Sequence, residues 1–413
     1  MDSVKAAIHV VDSIMGSGKT SSAINFINSL PSDTKFMFVA PYLSEVQRIA
    51  DACWFKNVKR PIYLDGKKIN SLYNLLQNGE NIVTTHALFQ RIGQEGIDSI
   101  KRNGYICFID ETIDCIVPYD QDNDGLNAFD TEALLTAYVD VDESNMVKWK
   151  NEKYHGVFSA HKVLADNRQL VKYNDKLLMK VFRLDILLAF KEIYVMTYLF
   201  EGSFMSSYFK YFGLEYDNLY ITGNGIDTYS FTGDKSKETV PRKDYRKLIT
   251  IIDIDRMNEI GNGEYDLSYS WYKRVGNADK LEQMQKNLHN FFIEIVGSKS
   301  SRNLWTTFNA FKGRLSGKGY AKGYVAINTR ASNEHINRDV VAYTVNRFVN
   351  PNISNFFKGR GIEQDEDLFA LSEMIQCIWR SSIRRDDTII LYIPSRRMRK
   401  LLQNWIEQNS VSE

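Results

Sequence analysis

The run Ile8-His9-Val10-Val11-Asp12-Ser13-Ile14-Met15-Gly16-Ser17-Gly18-Lys19-Thr20, followed by Ser21-Ser22-Ala23-Ile24-Asn25-Phe26-Ile27, decides how this chain is read. Its first part is apolar and β-like, its last part reads as a helix, and small residues join them. Such a junction lets backbone N–H groups curl around phosphate oxygens at a helix N-terminus. It also places a Lys at the terminal phosphates and a hydroxyl at Mg²⁺. Gly16, Ser17, Gly18, Lys19, Thr20 and Ser21 are therefore candidate ligands of a nucleoside triphosphate, with Thr20 a candidate metal ligand. The strict spacing G-x-x-x-x-G-K-[ST] would put Gly at position 13, where this chain has Ser13. Ser is small, so the loop can still close.

Working outward, the apolar run Tyr105-Ile106-Cys107-Phe108-Ile109 delivers Asp110-Glu111 to the end of a buried strand. There an Asp can hold the hydration shell of Mg²⁺ and the adjacent Glu can polarise an attacking water. Two further strands end in small or polar residues, Phe36 to Ala40 before Pro41-Tyr42, and Ile82-Val83 before Thr84-Thr85-His86. Groups of that kind at strand ends suit hydrogen bonds to a nucleic-acid backbone. His86 reads equally as a core histidine. Near the other end of the chain, Gln376, Arg380 and Arg384 are spaced by four and share one face of a helix expected over 368–384. A cation from that face is a candidate arginine finger. Trp305 and Trp379 read as core residues rather than as base-stacking platforms.

At 413 residues the chain has material for two or three domains, and two is the economical reading. A hydrophobic content of 44% with 25% charged residues excludes wholesale disorder. Four cysteines without C-x-x-C pairing indicate buried thiols and a reducing cytoplasm, not a zinc site or a disulfide framework. No leader and no long apolar run is evident, so neither secretion nor a membrane partner is expected. A net charge of +1 announces no nucleic-acid partner by itself. The stretch 380–400 is locally basic, with seven Lys and Arg against Asp386 and Asp387.

The first two hundred residues alternate β-like and helical patterns, the signature of a parallel sheet covered by helices. Strands are expected at 8–11, 35–40, 81–84, 105–109 and 192–197. Residues 113–180 are too many for one crossover and read as an insertion with its own small fold. The pattern weakens over 203–245, where glycines mark turns and a linker. A second alternation follows, with strands at 248–254, 304–308, 323–327 and 388–393, and helices at 278–296, within 338–348, at 368–384 and at 395–407. The fold class is thus α/β, with lobes at 1–235 and 236–413.

Taken in order, these segments resemble the motif series of superfamily 2 helicases, and in flavour the helicase-like proteins of phages and mobile elements. GSGKT (16–20), FVAPYLSEVQRI (38–49), VTTHALF (83–89) and FIDET (108–112) match the first-lobe motifs, the last being the DExx box. VMTYLF (195–200), GYVAINTRASN (323–333) and QCIWRSSIRR (376–385) stand where the coupling motif, a second-lobe motif and the terminal Arg motif belong. The resemblance implies two RecA-like P-loop NTPase lobes, ATP and Mg²⁺ as cofactors, and coupling of ATP state to nucleic acid through Thr197. It implies nucleic-acid contacts at Pro41, Tyr42, Thr84, Thr85, His86, Thr329 and Arg330, and catalysis by Lys19, Asp110, Glu111, Gln376, Arg380 and Arg384. The expected function is a nucleic-acid-dependent ATPase, a helicase or translocase acting on DNA rather than RNA. It would work as a monomer, alongside replication or recombination proteins, in the host cytoplasm if phage-encoded. The alternative is an ATP-switched nucleic-acid-binding loader that separates no strands.

Overall fold

The computed structural model describes residues 6–239, 243–327 and 333–411. They fall into two compact units, one drawn from 1–13, 18–239 and 350–364, the other from 14–17, 240–349 and 365–413. Thr329 and Arg330 lie outside the described residues.

The first unit is built on β1 (Ala7–Asp12), β2 (Phe36–Ala40), β3 (Ile82–Thr85) and β4 (Ile106–Asp110). The insertion supplies β5 (Ile116–Tyr119), β6 (Val139–Val141), β7 (Val147–Trp149), β8 (Leu170–Asn174) and β9 (Leu177–Val181). The chain then returns as β10 (Glu192–Thr197), β11 (Asp217–Thr222) and β12 (Ser230–Thr232). Seven of these form one sheet in the order β12-β11-β1-β10-β4-β2-β3, parallel except for β12. All five residues of β2 and of β4 are buried, as strands covered on both faces must be, which is why they read as unbroken apolar runs. The register sets Phe38 beside Phe108 and Phe108 beside Tyr194. Their rings stack at centroid distances of 6.1 and 5.0 Å, and Phe231 of β12 continues the row at 5.7 Å from Tyr194. Contacts of this kind each contribute about 0.5–1.5 kcal/mol beyond area burial.

Residues expected to form a linker instead complete this sheet. The helix Phe204–Phe212 precedes β11, and the Gly223-Asn224-Gly225 turn leads into β12. A Cβ at Gly223 would stand 2.3 Å from the Thr228 carbonyl oxygen, so only glycine fits that turn. The insertion has its own antiparallel sheet, β5-β9-β8, and a β6-β7 hairpin around Tyr119, Leu134, Val147 and Leu178. The helix Pro351–Lys358 also belongs to this unit, although it comes from far along the chain. Its Phe356 ring lies 5.5 Å from Tyr211, the Arg360 guanidinium sits 3.7 Å from the Phe356 ring, and Gln364 donates to Ser207 Oγ at 3.2 Å.

The second unit carries a four-stranded parallel sheet of β13 (Ile249–Ile252), β14 (Asn303–Thr306), β15 (Val340–Tyr343) and β16 (Ile389–Tyr392), in the order β13-β16-β15-β14. β15 corrects the helix expected within 338–348; its four residues are all buried between β14 and β16. The strand expected at 323–327 reduces to one bridge between Tyr324 and Trp305, after a single turn at Ala321–Gly323. The helix expected to run to Arg384 stops at Ile378, and Ser382–Arg385 forms a separate short turn. The Ser381 hydroxyl donates to the Ile378 carbonyl at 2.6 Å, competing locally with helix propagation. Gln376 and Arg384 therefore do not share a helix face with Arg380. Trp305 and Trp379 are core residues; Trp305 Nε1 donates to the Tyr320 carbonyl at 3.0 Å, and Trp379 packs 5.4 Å from Trp405. The closing helix is Arg396–Asn409, capped by Ser395. Cys53, Cys107, Cys115 and Cys377 are buried and form no disulfide. Among the described residues no helix is long and apolar enough to cross a membrane, and no cluster of His, Cys, Asp and Glu could hold a metal ion by itself.

Candidate nucleotide-binding site

β1 ends at Asp12, and the chain turns through the small-residue loop into the helix Lys19–Ser29. Gly16 and Gly18 take φ of +83° and +92°, a left-handed backbone that favours glycine. Gly18 caps the helix through its backbone alone, with no side chain covering the first-turn N–H groups. Those donors are oriented to receive an anion. Ser17 Oγ is buried without a hydrogen-bond partner among the described residues, a second group suited to a ligand oxygen. Lys19 is buried, and its Nζ donates to the Ser13 carbonyl across the loop. Thr20 and Ser21 are half-buried at the start of the helix.

The acidic pair lies two strands away. β10 sits between β1 and β4, and the Glu111 N–H donates to the Met196 carbonyl of β10 at 2.8 Å. Glu111 has φ +65°, so the chain kinks immediately after Asp110. A non-glycine residue held there stores backbone strain of the kind found at functional positions. Thr197, at the end of β10, donates from Oγ1 to Glu111 Oε2 at 3.4 Å and is 1% exposed. The residue expected to couple ATP state to nucleic acid thus touches the residue expected to activate water. Asp110 is 9% exposed, and burial, then the Glu111 charge, push its carboxyl up to about 7, with Lys19 opposing the rise. Near neutral pH a divalent cation there would displace the proton that this environment favours, its charge offsetting the Glu111 charge. The donor set of Thr20 and Asp110 is oxygen only, as Mg²⁺ requires.

Of the other expected residues, Pro41 and Tyr42 are half-buried at the end of β2. Thr84 is buried, and Thr85 Oγ1 caps the short helix His86–Phe89 by accepting the Leu88 N–H at 3.4 Å. His86 is buried, with Nε2 2.8 Å from the Asp110 carbonyl oxygen, which steadies the strand end carrying the acidic pair. In the second unit, Arg380 is 2% exposed; its Nη1 donates to the Ala326 carbonyl at 3.3 Å, while Nε has no partner among the described residues. Gln376 donates to Ser372 Oγ at 3.4 Å, and Arg384 is half-buried.

Three residues at the loop were not singled out by sequence. The Asp12 carboxylate accepts the N–H groups of Leu199 at 2.7 Å and Phe200 at 2.9 Å, tying the turn after β10 to the end of β1. Asn25 donates to the carbonyls of Ile226 at 2.8 Å and Tyr229 at 2.9 Å, and the Tyr229 ring lies against Gly18, where a Cβ would come within 2.7 Å of it. Asp12 stands beside the loop and could have been suspected. Asn25 and Tyr229 are some two hundred residues apart, and no local pattern links them.

The SPbeta prophage-derived uncharacterized protein YonV of Bacillus subtilis (strain 168) is 38% identical over 412 residues, covering 97% of this chain and 98% of that protein. The chain belongs to the YonV family. Residues 128–180, within the insertion, match the YonV middle domain, and residues 243–406 match the YonV C-terminal Rossmann-like domain. The fold of this family member is similar to that of XPD in its apo form, with a TM-score of 0.50 at 12% identity over 96% of this chain and 95% of that one. A structure of the DUF1998 helicase MrfA bound to DNA and AMPPNP matches with a TM-score of 0.34 at 10% identity, over 99% of this chain and 49% of that one. The architecture is a two-lobe α/β fold with parallel sheets, similar to that of XPD.

Proposed function

We propose that this YonV-family protein is an ATP-dependent nucleic-acid translocase or helicase, acting on DNA in phage-type replication or recombination. The observation that carries the reading is the pairing of two features on one sheet: an uncapped helix N-terminus behind Gly16 to Thr20, and Asp110-Glu111 at a strand end with Glu111 held by Thr197. In this reading Lys19 and the loop N–H groups bind the phosphates of ATP, and Thr20 and Asp110 hold Mg²⁺, whose charge offsets that of the phosphates. Glu111 orients and deprotonates the attacking water. Arg380 is assigned the cation that stabilises the developing phosphate charge. Thr197 senses the state of Glu111 and passes it along β10, so that hydrolysis drives movement along a strand.

The test is ATP hydrolysis by the purified protein alone and with single-stranded DNA, duplex DNA or RNA, beside Glu111→Gln. Strong stimulation by DNA that disappears in the variant supports a motor. Hydrolysis indifferent to every polymer would replace the motor by an ATP-switched loader.

A further inference from the structure

The edge of the first sheet ends in a groove that the nucleotide reading leaves unused. β3 is the last strand of the sheet, and the chain before it folds against its outer side: Lys59 N–H donates to the Asn81 carbonyl at 2.8 Å, and Val83 N–H donates to the Lys59 carbonyl at 3.0 Å. From there Arg60 to Leu64 runs past the strand end and closes in a tight turn. Leu64 and Lys67 exchange backbone hydrogen bonds of 3.3 and 3.0 Å across Asp65 and Gly66, both at positive φ. Asp-Gly is the pair such a turn favours. The Ser71 hydroxyl accepts the Ile62 N–H at 3.2 Å. The segment is therefore a built wall, and it faces the helix Leu43–Ala52 across a groove of about 410 Å³.

The lining is of two kinds. Leu43, Val46 and Ile62 make it apolar, and Tyr63, 72% exposed, stands at its rim with Lys68 Nζ 5.1 Å from the ring centroid. Thr84 also lines it; that side chain is 2% exposed, and Oγ1 has no hydrogen-bond partner among the described residues. Arg60 and Lys68 also line it, and the stretch 56–68 carries three further cations (Lys56, Lys59 and Lys67) against Asp65; of these, Lys56 Nζ donates to the Leu30 carbonyl and Lys59 Nζ to Asn57 Oδ1 at 2.9 Å. Apolar walls with an exposed aromatic ring suit a base. An orphaned hydroxyl suits a base edge, and the surrounding cations suit phosphates. A base paired in a duplex could not enter.

We propose that this groove takes one unstacked base of a single-stranded nucleic acid, with Tyr63 stacking on its face, Thr84 hydrogen-bonding its edge, and Arg60 and Lys68 meeting the flanking phosphates. The proposal rests on the nucleic-acid reading above. Its test is fluorescence anisotropy of the full-length protein with a labelled oligodeoxythymidylate and with an abasic strand of the same length. Measurements use wild type, Tyr63→Ala, Tyr63→Phe and Thr84→Val, with folding checked by circular dichroism. The wild type should bind the base-bearing strand about tenfold tighter than the abasic one. Tyr63→Ala and Thr84→Val should shrink that preference, and Tyr63→Phe should keep it. Equal binding of both strands by the wild type, or an undiminished preference in Tyr63→Ala, would overturn the groove and leave the motor intact. Failure to bind either strand would overturn both readings and leave the apolar rim to a protein partner.

Discussion

Asp110→Asn should make the ligand-free protein more stable, and should do so only towards neutral and alkaline pH. The folded-state carboxyl titrates near 7, against 3.8 for an ordinary Asp, because burial and then the Glu111 charge disfavour its ionised form. Between those values the folded chain keeps a proton that the unfolded chain has released, so stability falls as pH rises through the window and the loss is complete above about pH 8. A shift of about three units at about 1.4 kcal/mol each comes to about 4 kcal/mol, of which about 3 kcal/mol falls between pH 5 and 8. Asn cannot ionise and is spared that loss. For a lobe of this size each kcal/mol moves the melting midpoint by about 2–4 °C. The variant's advantage over wild type should therefore grow by roughly 6 °C or more between pH 5 and 8. The assay is thermal unfolding followed by circular dichroism at pH 5, 6, 7 and 8, in EDTA and without nucleotide. Parallel pH profiles for the two proteins would refute the electrostatic account of Asp110. The same reasoning predicts that Mg²⁺-nucleotide binding to wild type at pH 6 releases a proton, seen as a buffer-dependent binding enthalpy that Asp110→Asn lacks.

Lys19→Ala should abolish ATP turnover, and a variant with wild-type hydrolysis would refute the phosphate assignment of the loop. Gly18→Ala places a methyl 2.7 Å from the Tyr229 ring on a backbone at φ +92°. It should cost about 2 kcal/mol of stability or more and weaken nucleotide binding; adding Tyr229→Ala should recover part of the stability, and strict additivity in that double-mutant cycle would deny the contact. Thr197→Val removes the hydroxyl 3.4 Å from Glu111 and should leave a fold of unchanged melting midpoint whose hydrolysis responds less to DNA; undiminished stimulation would sink the coupling role. The four buried thiols should resist a maleimide probe until the chain unfolds, and rapid labelling of native protein would show an opening that the structure does not contain.

What could be read from sequence follows from how each element is buried. β1, β2, β4 and β10 lie inside a covered parallel sheet, so each is a largely apolar run that announces itself, and β3 at the sheet's edge is buried over Ile82–Thr84. β11 and β12 are short, lie at the sheet's margin and keep exposed polar residues such as Asp217 and Ser230, so their signal resembles that of a loop. β15 was misread because a short buried run between polar flanks fits either period; its partners β14 and β16, distant in sequence, decide the matter. The phosphate loop and the acidic pair were legible because their chemistry needs adjacent residues. The left-handed Glu111, the Asp12 clamp on Leu199 and Phe200, and the packing of Tyr229 on Gly18 arise from tertiary contacts and leave no local mark.

The helix Pro351–Lys358 bears on how this protein can be divided or inherited. Its Phe356 and Arg360 fill in around Tyr211 of a lobe whose main run ends more than a hundred residues earlier. A gene fragment cut at the apparent boundary would yield a first lobe with a stripped aromatic patch and a second lobe carrying an orphaned helix. Recombination that exchanged the rear half of such a gene would have to bring along a helix matched to the front half. The two lobes are thus bound to change together, and expressing the first one alone calls for a circular permutation or a co-expressed helix, not a stop codon.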